Sequence, residues 1–336
     1  MRLQLGLQAG ERLTQKETFD LAEFADNARF ESVWVAEGRL TRDAIVPASL
    51  IAGRTTHIRI GTGVINHKSR NVALTAVTFK TLDEFAPGRI MLGIGPWWEP
   101  LASKVGLPLV KPRAELREYI EVVRRLFANE TVTFEGEYVR VDGIRFDRTY
   151  EANEPVDVPI YLGVVAPKSL ALAGEIADGV LLDFLVPASY NESAIGHIVQ
   201  GLESRPDKTI SDVDRPQLVA CSVDDRDPNQ AVDACRAFLT MYLGQQPHIG
   251  AHCGIEPELV DRIKDELGWP TTLENIKRTM RLVPDGLVHS VAACGTTTQA
   301  IEQIEKYLHA GATTAVLTLL GDHKNDTLRA IAKAAA

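Results

Sequence analysis

The segment from Ile58 to Glu99 constrains the fold more than any other part of this chain. It holds two short apolar runs rich in β-branched residues, Ile58 to Ile65 and Ile90 to Ile94, with glycines at their ends and a helical pattern from Val72 to Phe85 between them. Leu74, Val77, Thr78, Leu82 and Phe85 recur at helical spacing, and Pro87-Gly88 stops the helix before the next strand. This is a β-α-β unit. Strands joined by such a crossover run parallel and are covered on both faces, which explains why both read as nearly continuous apolar runs. Function in parallel sheets lies at the C-terminal ends of the strands.

The same alternation runs through the rest of the chain, with strands near residues 3, 33, 58, 90, 158, 180, 218 and 315. Eight parallel strands with intervening helices predict an α/β fold, a (β/α)8 TIM barrel, formed by residues 1–336 as one domain. Two stretches break the rhythm. Residues 132–146 alternate around Gly136 and Gly143 and read as a β-hairpin insertion after strand four. Residues 244–290 show no strand pattern and read as a helical insertion after strand seven, with helices at Glu256 to Leu267 and Leu273 to Met280 and turns at Gly268-Trp269-Pro270 and Pro284-Asp285-Gly286.

Composition excludes several classes. No stretch approaches the roughly 20 apolar residues that span a bilayer, and Met1 leads into a short strand rather than a signal segment, so a cytoplasmic, membrane-free protein is expected. Cys221, Cys235, Cys253 and Cys294 lie far apart with no CxxC, which indicates neither a disulfide framework nor a zinc ribbon. A net charge of -9 argues against nucleic acid as a partner. Strand one carries Leu5-Gly6-Leu7 where a metal-dependent barrel hydrolase would need an H-x-H pair.

Five segments carry a more specific signal: SVWVAE (32–37), IRIGTGVINHKSRN (58–71), TLDEFAPGRIMLGIGP (81–96), PIYLGVVAPKSLALAGEIADGVLLD (159–183) and CGTTTQAIEQIEKYLHAGAT (294–313). In order and combination they resemble the bacterial luciferase-like superfamily, within it the deazaflavin-dependent branch that includes methylene-tetrahydromethanopterin reductase. The resemblance implies an oxidoreductase transferring hydride between coenzyme F420, an 8-hydroxy-5-deazaflavin, and a small organic substrate. FMN, in a monooxygenase or reductase, is the alternative. It also implies a homodimer through the helices near strands two to four, and a non-prolyl cis peptide at Gly63-Val64 behind the cofactor ring.

Candidate residues follow from both lines of reading. Gly61 and Gly63 leave backbone bare, either for a flat ring or for the turn of the strand. Gly163, Val164, Lys168 and Ser169 open a helix where backbone N–H groups favour a phosphate; Lys168 as a solvated surface charge is the plainer reading. Glu37 ends strand two and would hydrogen-bond substrate or donate a proton, or else pair with Arg39, Arg42 or Arg70. Several members of the family that the chain resembles carry a histidine just after this acid; here Gly38 and Arg39 follow. Trp97 and Trp98 form a pocket wall or pack the loop, with Glu99 as a nearby acid. His67 follows the cis-peptide strand, either beside the cofactor or as a structural histidine. Asp183 stands at the end of strand six as a substrate contact. Arg39, Arg42, Lys68 and Arg70 are loop cations able to receive an acidic cofactor tail. His248, His252 and Cys253 are close in sequence, but the spacing gives only weak support to a metal site, and none is assigned.

Overall fold

The structure, a computed structural model, describes residues 3–10, 12–38, 40–99, 101–147 and 154–335; Arg39 lies outside them. Packing divides the chain into two compact units: Leu7–Leu182 with Ile195–Arg215, and the opening residues to Gly6 with Asp183–Ala194 and the chain from Pro216.

The first unit alternates strand and helix. Its elements are β1 (Leu5–Ala9, begun in the other unit), α1 (Gln15–Asn27), β2 (Ser32–Val35), α2 (Ile45–Ala52), β3 (Arg59–Thr62), β4 (Ile65–Asn66), α3 (Val72–Phe85), β5 (Ile90–Gly95), α4 (Leu101–Lys104) and α5 (Pro112–Phe127). After the antiparallel hairpin β6 (Val132–Glu135) and β7 (Arg140–Ile144) come β8 (Ile160–Leu162), α6 (Pro167–Ile176), β9 (Gly179–Val180) and most of α7 (Tyr190–Leu202). Strands β2, β3, β5, β8 and β9 pair in that order, all parallel, and β4 pairs with β5.

Local chemistry sets the boundaries. Thr14 and Glu17 form a capping box that starts α1, and the Asn71 side chain accepts from Ala73 N–H to start α3. Asp26, buried at the end of α1, accepts from the backbone N–H groups of Thr56, His57 and Ile58 at 2.7–2.9 Å and so fixes where β3 begins.

The core of this unit is organised by Trp34, fully buried on β2, whose indole N–H donates to Ser32 Oγ at 2.9 Å and whose ring meets Tyr161 edge-on at 5.0 Å. A β-carbon at Gly61 would lie 2.6 Å from that ring, and one at Gly63 3.0 Å from the Trp34 Cβ. At Gly93 a β-carbon would meet the Thr62 carbonyl oxygen at 1.8 Å, while the Thr62 hydroxyl bridges the two strands by donating to Gly93 O at 2.7 Å and accepting from Gly93 N–H at 3.0 Å.

Helix α3 has the predicted limits but a different inward side. Val72, Thr75, Ala76, Phe79 and Leu82 are buried, whereas Leu74, Val77 and Phe85 are exposed, Phe85 by 78%. A helix apolar on more than one face leaves the choice of face to packing: the small Thr75 and Ala76 allow close approach.

The second unit contains β10 (Pro216–Val223), α8 (Pro228–Gln245), α9 (Pro247–His252), α10 (Pro257–Leu267), α11 (Leu273–Thr279), α12 (Asp285–Val291), β11 (Ala292–Gly295), α13 (Thr297–His309), β12 (Thr314–Leu319) and α14 (Lys324–Ala335). Strand β10 pairs in parallel with both β11 and β12. Its core joins Phe238, Leu239 and Leu243 of α8 to Ile263, Leu267, Val288 and Val291. Two features depart from the sequence reading. Pro284-Asp285-Gly286 opens α12 instead of turning, with Pro284 as its N-cap, and β11 was not anticipated because AACG lacks the bulky β-branched residues that mark strands. Among the described residues no helix is long and apolar enough to cross a membrane.

The seam at Gly93 gives a direct test. Because the obstructing atom is backbone, Gly93→Ala should lower stability by about 3 kcal/mol or more, read from urea unfolding; a loss near zero would show that the strands can part to admit a methyl group.

Candidate active site

In the first unit the parallel strands deliver the candidate residues to their C-terminal ends: Glu37 after β2, the Gly63-Val64 bond after β3, Trp97 to Glu99 after β5, and the Gly163 loop after β8. The Gly63-Val64 peptide is cis. It carries the Val64 side chain toward the neighbouring strand ends, where a β-carbon at Gly163 would come within 2.7 Å of Val64 Cγ1 and one at Gly95 within 3.2 Å of Val64 Cγ2. Gly95 and Gly163 are thus bare to accommodate Val64, and Gly61 and Gly63 are bare to accommodate Trp34.

Glu37 is held by an ion pair. Arg70 lies 2.5 Å from Glu37 and 2.5 Å from Asp43, and Asn66 Nδ2 donates to the other Glu37 oxygen at 3.4 Å. Burial works to lower the Arg70 pKa, but the hydrogen bonds and charges of the two carboxylates outweigh it and raise the guanidinium above its ordinary value. Tyr119, its hydroxyl pushed up to about 12 by burial, donates to the Arg70 carbonyl at 3.0 Å and fixes the backbone that carries the cation. Of the proposed tail-binding cations, Arg70 is therefore committed to Glu37 and Asp43, Arg42 donates to Leu13 O and Thr18 Oγ, and Lys68 pairs with Glu115.

His67 is buried, and both ring nitrogens face acceptors: Nδ1 the Gly95 carbonyl at 3.2 Å, Nε2 the Glu115 carboxylate at 2.8 Å. Lys68 reaches the same Glu115 oxygen at 3.0 Å. Burial acts to raise the Glu115 pKa, yet the bonds from His67, Lys68 and the Lys111 backbone prevail and lower it. Glu115 escaped the sequence reading, although an acid on the apolar stripe of α5 beside Leu116, Tyr119 and Ile120 is the kind of mismatch that marks a buried pair. His67 thus ties β4 to α5. Glu99 is exposed and serves its own loop, accepting from the N–H groups of Ser103 and Leu109 at 3.1 Å each; those backbone bonds lower its pKa. Trp97 and Trp98 beside it are half-buried.

After β8, Val164 is buried and the chain turns into α6 with Pro167 at its start and no side-chain cap. Lys168 is exposed and Ser169 half-buried, and among the described residues neither side chain has an intramolecular partner. An uncapped helix start with an ammonium and a hydroxyl at hand is a donor set suited to a phosphate.

In the second unit Asp183 accepts from His248 Nε2 at 2.9 Å and from the Phe184 N–H at 2.9 Å. His252 stands with its ring 4.6 Å from that of Tyr190 and 6.1 Å from that of His248. Burial, then His248, lower the His252 pKa against an opposing pull from Asp183, and burial pushes the Tyr190 hydroxyl up. Cys253 donates to the Leu185 carbonyl, its thiol pushed up to about 11 by burial. Among the described residues no group of three or more His, Cys, Asp or Glu side chains is disposed to hold a metal ion.

The Glu115 pair predicts a pH dependence. A carboxyl whose pKa is lowered on folding adds stability above its ordinary value of 4.5 and loses it as the pH falls through the lowered one. Glu115→Gln should therefore cost about 3 kcal/mol or more at pH 7, and the gap to the parent chain should shrink in urea titrations below the ordinary glutamate range; a gap that does not vary with pH would contradict the pairing.

The family model for luciferase-like monooxygenases matches residues 2–314. The chain is 29% identical over 315 residues to the 5,10-methylenetetrahydromethanopterin reductase of Methanolobus tindarius, covering 93% of each. It is 30% identical over 285 residues to the F420-dependent glucose-6-phosphate dehydrogenase of Kineococcus radiotolerans, covering 79% of this chain and 80% of that one. Among solved structures, the coenzyme F420-dependent tetrahydromethanopterin reductase from Methanopyrus kandleri superposes with a TM-score of 0.87 at 23% identity, over 99% of this chain and 98% of that one. The fold is the (β/α)8 barrel of that structure, and the chain belongs to the luciferase-like monooxygenase family.

Proposed function

We propose that the chain is a coenzyme F420-dependent oxidoreductase, transferring a hydride between the 8-hydroxy-5-deazaflavin and a small organic substrate with a C=C, C=N or pterin-like acceptor. The observation that carries this reading is the end-to-end similarity to a reductase over 93% of both chains, joined by relatives whose names include F420. The uncapped start of α6 with Lys168 and Ser169 unpartnered fits the phosphate of such a coenzyme. When bound, the coenzyme supplies the carbon that gives or takes the hydride.

In this reading the chain's own work is positional. Gly163, Val164, Lys168 and Ser169 hold the phosphate, and the backbone of Gly61, Gly63 and Val64 is the floor for the ring. Glu37, aimed by Arg70 and Asn66, is the acid beside the substrate. Trp97 and Trp98 exclude water; Asp183, the remaining candidate substrate contact, is paired with His248 in the second unit and is read there by itself. His67 and Glu99 act by holding the loops after β4 and β5. The whole chain is read as one domain, cytoplasmic, with its four cysteines unpaired and with 132–146 and 244–290 as insertions. The occupant of the exposed apolar stripe of Leu74, Val77 and Phe85, flanked by Val46 and Leu50 of α2, is a second copy of the chain.

Two measurements test these statements. In fluorescence titrations of the purified chain, the deazaflavin coenzyme should bind well and FMN poorly, and Lys168→Ala with Ser169→Ala should weaken the coenzyme about tenfold. Preference for FMN would transfer the protein to oxygen-using flavin chemistry, and binding of neither would end both readings. Light scattering should give a dimer for the parent chain and a monomer for Val77→Glu with Phe85→Glu; a parent monomer would refute the interface.

A further inference from the structure

An acid that gives up and regains a proton alternates between a charged and a neutral form, and its neighbourhood must tolerate both. In the first unit the Glu37 side chain is 15% exposed and its ion-pair partner Arg70 21% exposed. Were this an isolated pair, each protonation of Glu37 would leave a largely buried cation without a counter-charge, which is strongly destabilising. We propose that Asp43 is a positioning residue for proton transfer by Glu37: it retains the Arg70 guanidinium while Glu37 carries a proton, so that the cation keeps its place throughout. This rests on the reading of Glu37 as the acid beside the substrate.

Geometry carries the assignment. Arg70 Nη2 stands 2.5 Å from Glu37 Oε2 and 2.5 Å from Asp43 Oδ2, so one nitrogen serves two carboxylates and can release either. The Arg70 Nε is buried without an acceptor, and among the described residues the guanidinium makes no other hydrogen bond, so these two carboxylates are all that hold it. Its backbone is fixed by the Tyr119 hydroxyl, which donates to the Arg70 carbonyl at 3.0 Å. Asp43 is held from the far side, where its Oδ1 accepts from the Val46 N–H at 2.8 Å in the first turn of α2. Burial acts to raise the Asp43 pKa, yet the Val46 N–H and Arg70 prevail and lower it. Asp43 is thus the carboxylate that stays charged.

The charge count agrees. Two carboxylates on one guanidinium leave one negative charge in surplus, and a proton on Glu37 brings the three groups to neutrality. Among the described residues Glu37 faces Arg70, the Asn66 Nδ2 at 3.4 Å and the Ala44 N–H at 3.4 Å, with Asp43 across the guanidinium. The other nearby cations are turned elsewhere: Lys68 and His67 to Glu115, and Arg42 to Leu13 O and Thr18 Oγ. In the reducing direction the O–H bond of the Glu37 carboxyl breaks, its proton passes to the substrate atom left with an electron pair once the hydride has arrived, and the resulting carboxylate returns to Arg70. A proton from solvent restores the acid.

A purely structural Asp43 would need only its bond to Val46. Asp43→Asn separates the two roles, because asparagine keeps an oxygen for the Val46 N–H and loses the charge. In urea unfolding at neutral pH, Asp43→Asn and Glu37→Gln, the latter standing for the protonated acid, each leave Arg70 one carboxylate, and the double variant leaves none. The unfolding constant of the double variant should rise about tenfold above the product of the two single rises; effects that simply multiply would overturn the proposal. The second readout is the infrared C=O band of the Glu37 acid form, identified by its loss in Glu37→Gln. In Asp43→Asn this band should appear about one pH unit lower than in the parent chain, and Asp43→Glu should restore the parent position. An unmoved band in Asp43→Asn, or one that stays low in Asp43→Glu, would refute a role for the charge. Neither measurement uses the coenzyme, so a chain that binds neither cofactor loses the functional reading while the cycle and the band still decide whether Asp43 holds the cation for Glu37.

Discussion

The burial of Trp34 is the constraint on which the first unit depends. An indole needs a large space in a sheet whose strands run side by side, and here the space comes from the neighbouring strand β3 and its end, which carry no β-carbon at Gly61 and Gly63. The ring is then fixed by its bond to Ser32 and its edge contact with Tyr161 on β8. Thr62, between the two glycines, bonds across to Gly93 through its hydroxyl. Once these strands are locked, the loops at their C-terminal ends have a rigid base, and Val64 can close over Gly95 and Gly163.

Above that base the polar side chains are arranged as pairs with shared members. Arg70 serves Glu37 and Asp43, while Glu115 serves His67 and Lys68. Tyr119 of α5 touches both groups, through the Arg70 carbonyl and through the edge of the His67 ring at 6.2 Å. Sharing limits the number of buried charges that must be neutralised, and it fixes Glu37 by geometry that a single pair of long side chains would not supply.

What the sequence made legible was whatever is encoded by neighbours in the chain. The bounds of α3, Val72–Phe85, follow from local pattern and a proline-glycine stop, and the parallel strands follow from apolar runs ending in glycine. What it hid depends on distant partners. His67 meets Glu115 and Asp183 meets His248 across 48 and 65 residues, and nothing in the local pattern of either announces the other. The glycines were legible as bare backbone, but not the identity of the group that fills the bare space, because Trp34 is 27 residues before Gly61 in a chain read one segment at a time. The strand β11 was hidden by its composition, and the buried side of α3 by a helix apolar on more than one face.

The glycine seam also divides the chain by tolerance to change. Positions 61, 63, 93, 95 and 163 answer to backbone or to a buried side chain, so a mutation there is judged by the interior. Glu99, Lys111, Arg113 and Lys168 stand exposed on loops or first turns, where a changed side chain meets solvent rather than the packed interior. A substitution in the first set is therefore felt by the packed interior, whereas one in the second set can change the surface charge without disturbing the scaffold.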